Sequence, residues 1–195
     1  MNQIAEPPRL FPDLTGFGVN IAGRSYMKIT VTVLLAFLLT LTVSSRLLAK
    51  ASTSKITISG ADLKTPVEIN DTKVLTNFNV WTGSGTNTAD HQGLIIDWSR
   101  GPVREPSNSL PRYQVTFYAS TPNERIIYVV YYVFNPIAGH GYVYLPGKSD
   151  KWYGLNTFSI FRGEEGKWFF AWSVWESVAN PLIEKTAFAD SIHPR

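Results

Sequence analysis

The chain has 195 residues, of which 44% are hydrophobic and 13% aromatic, with 18 Lys or Arg, 15 Asp or Glu and no Cys. That length suits one ordinary domain and a processed segment, and the lack of Cys excludes disulfides, thiolate metal sites and Cys nucleophiles. Five basic and two acidic residues lie in the first 51 positions, so the remaining chain carries thirteen of each and is formally neutral. Because a nucleic-acid-binding surface has a clustered basic excess, we expect no nucleic-acid partner.

Residues 27–51 predict an export signal. One Lys precedes an uncharged apolar run over residues 29–43, and Ala49-Lys50-Ala51 matches a small-x-small cleavage site. The run has fifteen residues, whereas a membrane-spanning helix needs about 20, so a cleaved signal peptide is favoured over a single-pass membrane anchor. The protein is therefore expected to be exported (periplasmic, cell-surface or secreted), with membrane contact only through the N-terminal segment if it stays uncleaved.

The segments on either side of this signal differ in composition. Residues 1–26 show no periodicity and contain three Pro and three Gly. They are interpreted as a non-native or disordered lead-in, because signals normally begin at the chain start. Residues 52–195 hold all six Trp and eight of the nine Tyr and are expected to form a single globular domain. Aromatic side chains suit half-buried pleated surfaces, so a sheet-based core is predicted.

Short alternating or apolar segments predict the strands of that sheet. Their ranges are 55–60, 66–70, 94–98, 113–118, 125–134 and 142–145. Residues 126–134 are apolar or Tyr at every position, which is typical of a central strand covered on both faces. A final hairpin is predicted over residues 155–172, with Gly163-Glu164-Glu165-Gly166 as its turn, because Gly permits positive φ where the chain reverses.

Two helices are predicted to pack against the sheet. Apolar residues at helical spacing, after a capping residue at position 70 or 71, predict a short helix over about 72–79. The S-x-x-E pattern of Ser173 and Glu176 matches a capping box and opens a helix over about 174–185, which Pro181 is expected to kink. The predicted fold class is therefore α+β, an antiparallel β-sheet of about five to seven strands with two packed helices.

The candidate ligand-binding residues are His140, Tyr142, Tyr144 and Trp152. Tyr142 and Tyr144 are two positions apart, so on a strand they share one face, whereas Val143 lies on the other face. Exposed aromatic faces with polar groups beside them bind sugars, so a glycan or another envelope component is the expected partner. The alternative is that the Tyr pair covers the sheet beneath a helix. The face that the helices cover decides between the two interpretations.

Catalytic motifs are weak in this sequence. Gly83-Ser84-Gly85 lies in a polar loop without the strand that a nucleophile elbow needs, and is interpreted as a flexible Gly-Ser loop. His91, His140 and His193 are far apart and form no H-x-x-x-H pair, so no metal or other cofactor is expected. Asp97 is the alternative candidate acid: within an apolar strand it is either partly buried, with a raised pKa, or directed outward.

Three segments, "KITISGADLKTPVEI", "GYVYLPG" and "EGKWFFAW", resemble a group of exported proteins of soil-type bacteria whose function is not established. The resemblance covers about residues 55–185 and implies no activity or site residue. We expect an exported, non-enzymatic binding or structural module of the cell envelope or secreted fraction. The first alternative is an exported hydrolase that uses carboxylate chemistry, and a further one is an envelope protein with a protein partner.

Overall fold

A computed structural model describes residues 52–61, 63–86, 92–120 and 123–192, with the backbone alone for Gln92. The predicted lead-in and signal, residues 1–51, lie outside these ranges, as do His91 and His193. Within the described ranges, no helix combines the length and the apolar character that crossing a membrane requires.

In this part of the chain, nine strands pair in antiparallel fashion. They are β1 (Lys55–Gly60), β2 (Leu63–Ile69), β3 (Gln92–Gly93), β4 (Ile96–Asp97), β5 (Pro102–Val103), β6 (Arg112–Ala119), β7 (Arg125–Asn135), β8 (His140–Tyr144) and β9 (Trp168–Phe170). Seven form one sheet in the order β2-β1-β6-β7-β8-β9-β5, and β3 pairs with β4. The helices are α1 (Thr72–Leu75), α2 (Tyr153–Ser159) and α3 (Ser173–Ile192), with a 3₁₀ turn at Trp98–Arg100. The predicted α+β class and strand number are confirmed.

The hydrophobic core lies between one face of the sheet, here called the core face, and α3. Val115 and Tyr132 project from the core face and are fully buried, as is Trp175 of α3. The Trp175 ring makes edge contacts with Tyr132 and with Phe78, at centroid distances of 5.9 and 5.2 Å. The Tyr132 hydroxyl donates to Oδ1 of Asn180 at 2.7 Å, which satisfies a polar group beneath the helix. Helix α3 therefore covers the core face.

The predicted hairpin over residues 155–172 is wrong. Its first half contains α2, and only Trp168–Phe170 forms a strand. The reason lies in β7, which pairs with β8 only from Tyr131 onward and has no strand beside its first half on that side. There the side-chain amide of Asn156 takes the place of a strand: it accepts from the Val129 N–H at 2.9 Å and donates to the Val129 carbonyl at 2.7 Å. These tertiary hydrogen bonds, which the local sequence pattern does not reveal, favour the helix over a strand.

The early elements are shorter than predicted. The helix expected over 72–79 is the single turn α1, after which the chain turns and buries Phe78 against Trp175. The strand expected over 94–98 is reduced to the two residues of β4, because Leu94 has a positive φ of 60° and the 3₁₀ turn begins at Trp98. Core packing and local turns override the sequence periodicity at both places.

The last helix is longer than predicted. It begins at Ser173 and continues through Pro181 to Ile192. Its final turns are bound to the edge strand β2, where the Asp190 carboxylate accepts from the N–H of Lys64 at 2.8 Å and of Thr65 at 3.2 Å. This carboxylate caps N–H groups of an edge strand that would otherwise lack partners. The contact with β2 therefore accounts for the extra length.

Candidate functional site

Strand β8 directs its predicted site residues away from α3. Val143, and Leu145 just beyond the strand, are fully buried on the core face. His140, Tyr142 and Tyr144 alternate with them, project from the opposite face and are half-buried. The Tyr pair is therefore not the layer beneath α3.

Five aromatic residues project from the side of the sheet opposite α3, here called the aromatic face: Tyr131, Tyr142, Tyr144, Trp168 and Phe170. The Tyr142 and Phe170 ring centroids are 5.5 Å apart with planes at 27°, and those of Tyr144 and Trp168 are 5.0 Å apart with planes at 35°. Tyr131 lies 6.4 Å from Tyr144 with planes at 30°. These are offset-stacked arrangements in which each ring partly covers the next. Trp168 is buried and the other four rings are half-buried, and together they form a continuous row across three strands.

His140 lies at one end of the aromatic face. Its ring centroid is 4.9 Å from those of Tyr142 and Phe170, with interplanar angles of 74° and 82°. Its Nδ1 atom is buried and has no hydrogen-bond partner among the described residues. His140 therefore ends the row of rings with one ring nitrogen that is unpaired and enclosed by the protein.

Trp152 lies at the other end and is joined to the sheet through Gln114. Its indole Nε1 donates to Gln114 Oε1 at 2.9 Å, and the Gln114 amide nitrogen donates to the Thr116 hydroxyl at 3.0 Å. Gln114 is the cross-strand partner of Tyr131, so Trp152 is positioned beside the row of rings. The structure thus places all four predicted binding residues along one face, with His140 and Trp152 at opposite ends.

Asp150 fixes the turn that connects β8 to Trp152. One of its carboxylate oxygens accepts from the Tyr144 hydroxyl at 2.9 Å and from the Gly147 N–H at 2.7 Å. Burial, and then the hydrogen bond to Asp150, raise the pKa of Tyr144. Tyr144 therefore keeps its proton, and its hydroxyl donates to the carboxylate.

Cations cover several of these rings. Arg100 lies over Phe170 with its guanidinium carbon 3.3 Å from the ring centroid, Arg112 over Trp168 at 5.1 Å and Lys151 over Trp152 with its amine 4.5 Å away. Sequence reasoning missed these residues, as it missed Tyr131, Trp168 and Phe170. The period-two spacing of Trp168 and Phe170 was a usable signal for one shared face. The cations had no such signal, because they reach the face from a turn, a strand end and a loop.

Asp97 has a structural role at the 3₁₀ turn. Its Oδ1 accepts from the backbone N–H of Ser99 at 3.2 Å and from the Ser99 hydroxyl at 2.5 Å. It is half-exposed and caps the turn that ends in Arg100. The observed contacts of Asp97 are therefore those of a capping residue.

A second carboxylate near the predicted site is that of Glu176, which the sequence pattern marks only as part of a capping box. Glu176 accepts from the Gly141 N–H, next to His140. Burial raises its pKa, while the Gly141 hydrogen bond and the neighbouring His140 and Arg100 side chains act in the opposite direction. Glu176, His140 and Arg100 are thus three titratable or charged groups close together at the end of β8.

Arg162 is a buried cation that holds the Gly-Ser loop. Its guanidinium donates to the carbonyl oxygens of Thr82 at 3.0 Å and Ser84 at 2.8 Å and to that of Val80, and to the Tyr128 hydroxyl at 3.1 Å. The interpretation of residues 83–85 as a flexible loop is therefore wrong: close packing and these hydrogen bonds hold this stretch. No signal in the sequence distinguishes this Arg from a surface one.

The described part of the chain offers stacking surface, hydrogen-bond donors and one unpaired ring nitrogen on a single face. Within these same ranges, no three His, Asp or Glu side chains gather closely enough to hold a metal ion. No known protein family, curated protein or solved structure matches this chain.

Proposed function

We propose that this protein is a non-enzymatic binding module of the cell envelope or secreted fraction, and that its aromatic face binds a glycan. The observation that carries the proposal is the row of half-exposed rings opposite α3. The core face with α3 already supplies the hydrophobic core, so these rings are not required to fill it. Large contiguous aromatic surfaces on the outside of a domain mark interaction sites.

The chemistry of the aromatic face suits a sugar chain. Sugar rings have apolar C–H faces that pack on aromatic rings and hydroxyl groups that need hydrogen-bond partners. The polar groups beside the rings are of that kind: the carboxylate of Asp150, the amide of Gln114 and the imidazole of His140. Trp152 and Gln114 at one end and His140 at the other leave room along the face for more than one sugar unit.

Isothermal titration against cell-wall and plant glycans tests this proposal. Trp152→Ala and Tyr142→Ala should each weaken binding about tenfold or more, which corresponds to roughly 1.4 kcal/mol. Phe188→Ala removes an aromatic side chain that is 68% exposed on α3 and is the matched control. Binding to no glycan, or binding unchanged in Trp152→Ala, would overturn the proposal.

A second candidate function is a hydrolase that uses carboxylate chemistry, and Glu176 is the observation in its favour. Its raised pKa and its position beside His140 and Arg100 are features of a general acid. An activity screen on glycosides and esters separates the two functions. Turnover that is lost in Glu176→Gln and kept in Asp97→Asn would favour the hydrolase, whereas glycan binding without turnover in the unsubstituted protein would exclude it.

A further inference from the structure

The cations on the aromatic face limit the class of glycan that the face accepts. Arg100 and Lys151 are exposed, and neither has an ion-pair partner among the described residues. Arg112 is ion-paired with Glu105 at 3.1 Å. Two further carboxylates near this surface are half-buried and hydrogen-bonded within the protein: Asp150 accepts from Tyr144 and Gly147, and Glu176 accepts from Gly141. Among the described residues, the exposed charges along the face that lack an ion-pair partner are therefore those of two cations, Arg100 and Lys151.

The geometry of Arg100 leaves its donors available. A guanidinium that stacks on a ring uses its flat face for the contact, while its N–H groups point outward in its own plane. The Arg100 guanidinium carbon is 3.3 Å from the Phe170 centroid, a distance that fits such a stacked contact. Planar N–H donors of this kind bind a carboxylate or phosphate through two parallel hydrogen bonds. Arg100 is thus both held by the aromatic face and able to bind an anion beside it.

The cations are distributed along the face. Phe170 and Trp168, which carry Arg100 and Arg112, are two positions apart on β9, or roughly 7 Å along the strand. Lys151 lies over Trp152, near the opposite end of the row from His140. Positive groups at several points along one surface suit a polymer with repeated acidic groups better than a ligand with a single acidic group.

We propose that the aromatic face binds an acidic glycan, whose carboxylate or phosphate groups pair with Arg100 and Lys151 while its sugar rings contact the aromatic residues. This inference rests on the proposed glycan-binding function and deepens it by naming the ligand class. Carboxylates would come from uronic-acid polymers and phosphates from sugar-phosphate polymers. Both present the same acceptor chemistry to the cations.

The test compares matched polymers by isothermal titration. Polygalacturonate and its methyl ester share one backbone and differ in charge, and a teichoic acid supplies the phosphate form. We expect at least one acidic polymer to bind about tenfold or more tightly than the neutral ester. The difference should shrink when the salt concentration rises from about 0.05 M to about 0.5 M, because salt screens exposed charges. Whichever acidic polymer binds identifies the source of the anion.

Four variants test whether the preference for acidic polymers depends on the cations of the aromatic face. Arg100→Gln and Lys151→Gln should each reduce acidic-polymer binding several-fold and reduce binding of the neutral ester by a clearly smaller factor. Lys185→Gln, which removes an exposed cation on α3, is the control and should change neither. Thermal unfolding checks that each variant is folded, and Arg100→Lys, which keeps the charge, should restore part of the preference.

The possible outcomes separate the two proposals. Equal binding of the acidic and neutral polymers, unchanged in Arg100→Gln, would overturn the acidic-glycan inference while leaving glycan binding intact. If the protein binds none of these polymers and none of the cell-wall and plant glycans tested above, both proposals are overturned. Tighter binding of an acidic polymer that is lost equally in Lys185→Gln would show a non-specific charge effect and would also contradict the inference.

Discussion

The side-chain amide of Asn156 hydrogen-bonds both backbone groups of Val129, as a neighbouring strand would. The two hydrogen bonds between its amide and the Val129 backbone, at 2.9 and 2.7 Å, lie on the side of β7 where β8 is missing. Asn156 is only 1% exposed, so water does not replace these bonds. The pairing fixes the start of α2 and, through it, the neighbouring Trp152 at the edge of the aromatic face.

Asn156→Ala should therefore destabilise the protein. It leaves the N–H and the carbonyl of Val129 buried without partners, and each such group costs about 1 to 3 kcal/mol. We expect a loss of about 2 to 4 kcal/mol in the free energy of unfolding, measured with a chemical denaturant. Thr157→Ala, whose hydroxyl bonds only within α2, is the neighbouring control and should cost under about 1 kcal/mol. Equal losses in the two variants would contradict the role assigned to Asn156.

Arg162→Met should destabilise the protein through the Gly-Ser loop. The substitution keeps most of the side-chain volume but leaves the carbonyls of Thr82 and Ser84 and the Tyr128 hydroxyl without their donor. We expect a loss of about 3 to 5 kcal/mol, together with faster amide hydrogen exchange in residues 80–86. Arg104→Met, at an exposed position, is the control and should fall within about 0.5 kcal/mol of the unsubstituted protein. Unchanged exchange in the loop would show that Arg162 does not hold it.

Glu176→Gln should change how stability depends on pH. Below the ordinary pKa of 4.5 the carboxyl is protonated in both the folded and the unfolded state. As pH rises from there through the raised folded pKa, the unfolded chain loses the proton first, so the folded state loses relative stability. Gln does not titrate, so the free energy of unfolding of the variant relative to the unsubstituted protein should rise through this window and then level off. Denaturant unfolding from about pH 4 to about pH 7 measures it, and a difference that is constant with pH would exclude the raised pKa.

Two Gly→Ala substitutions should have opposite effects. Gly83 has φ of 90°, and a Cβ there would lie 2.2 Å from Nε1 of Trp98, so Gly83→Ala should destabilise by about 2 kcal/mol or more. Gly154 lies in α2, and a Cβ at that position would have no atom within 4 Å, so Gly154→Ala should stabilise by about 0.5 to 1 kcal/mol. Thermal unfolding of both variants measures these changes in stability. A stabilising Gly83→Ala would show that the loop does not pack against Trp98.

The sequence predicted the central strands of the sheet but not the segments where tertiary contacts decide. Alternation in β1, β6 and β8 predicted strands close to those observed, because a half-buried strand must alternate. The segment 155–160 was predicted as part of a hairpin, yet it forms most of α2, where Asn156 hydrogen-bonds the backbone of Val129. That preference depends on residues 27 positions apart and leaves no local signal.

The candidate site likewise combines residues that the sequence predicted with residues that only tertiary contacts bring there. Period-two spacing correctly placed Tyr142 and Tyr144 on one face, and the structure adds His140 to that face and shows that α3 covers the other. Arg100 and Arg112 could not be assigned from the sequence, because their contacts with Phe170 and Trp168 join segments far apart in the chain. Glu176 belongs to a local motif in the sequence, whereas its observed partner, Gly141, is 35 positions away.

The most direct test of the central claim follows the indole N–H signals of the six Trp residues by nuclear magnetic resonance while a glycan is added. The signals are assigned with single Trp→Phe variants. If the glycan binds the aromatic face, the Trp152 and Trp168 signals shift in a saturable way, and the signal of Trp175, buried beneath the core face, stays in place. Saturable binding that leaves Trp152 and Trp168 unchanged would contradict the account.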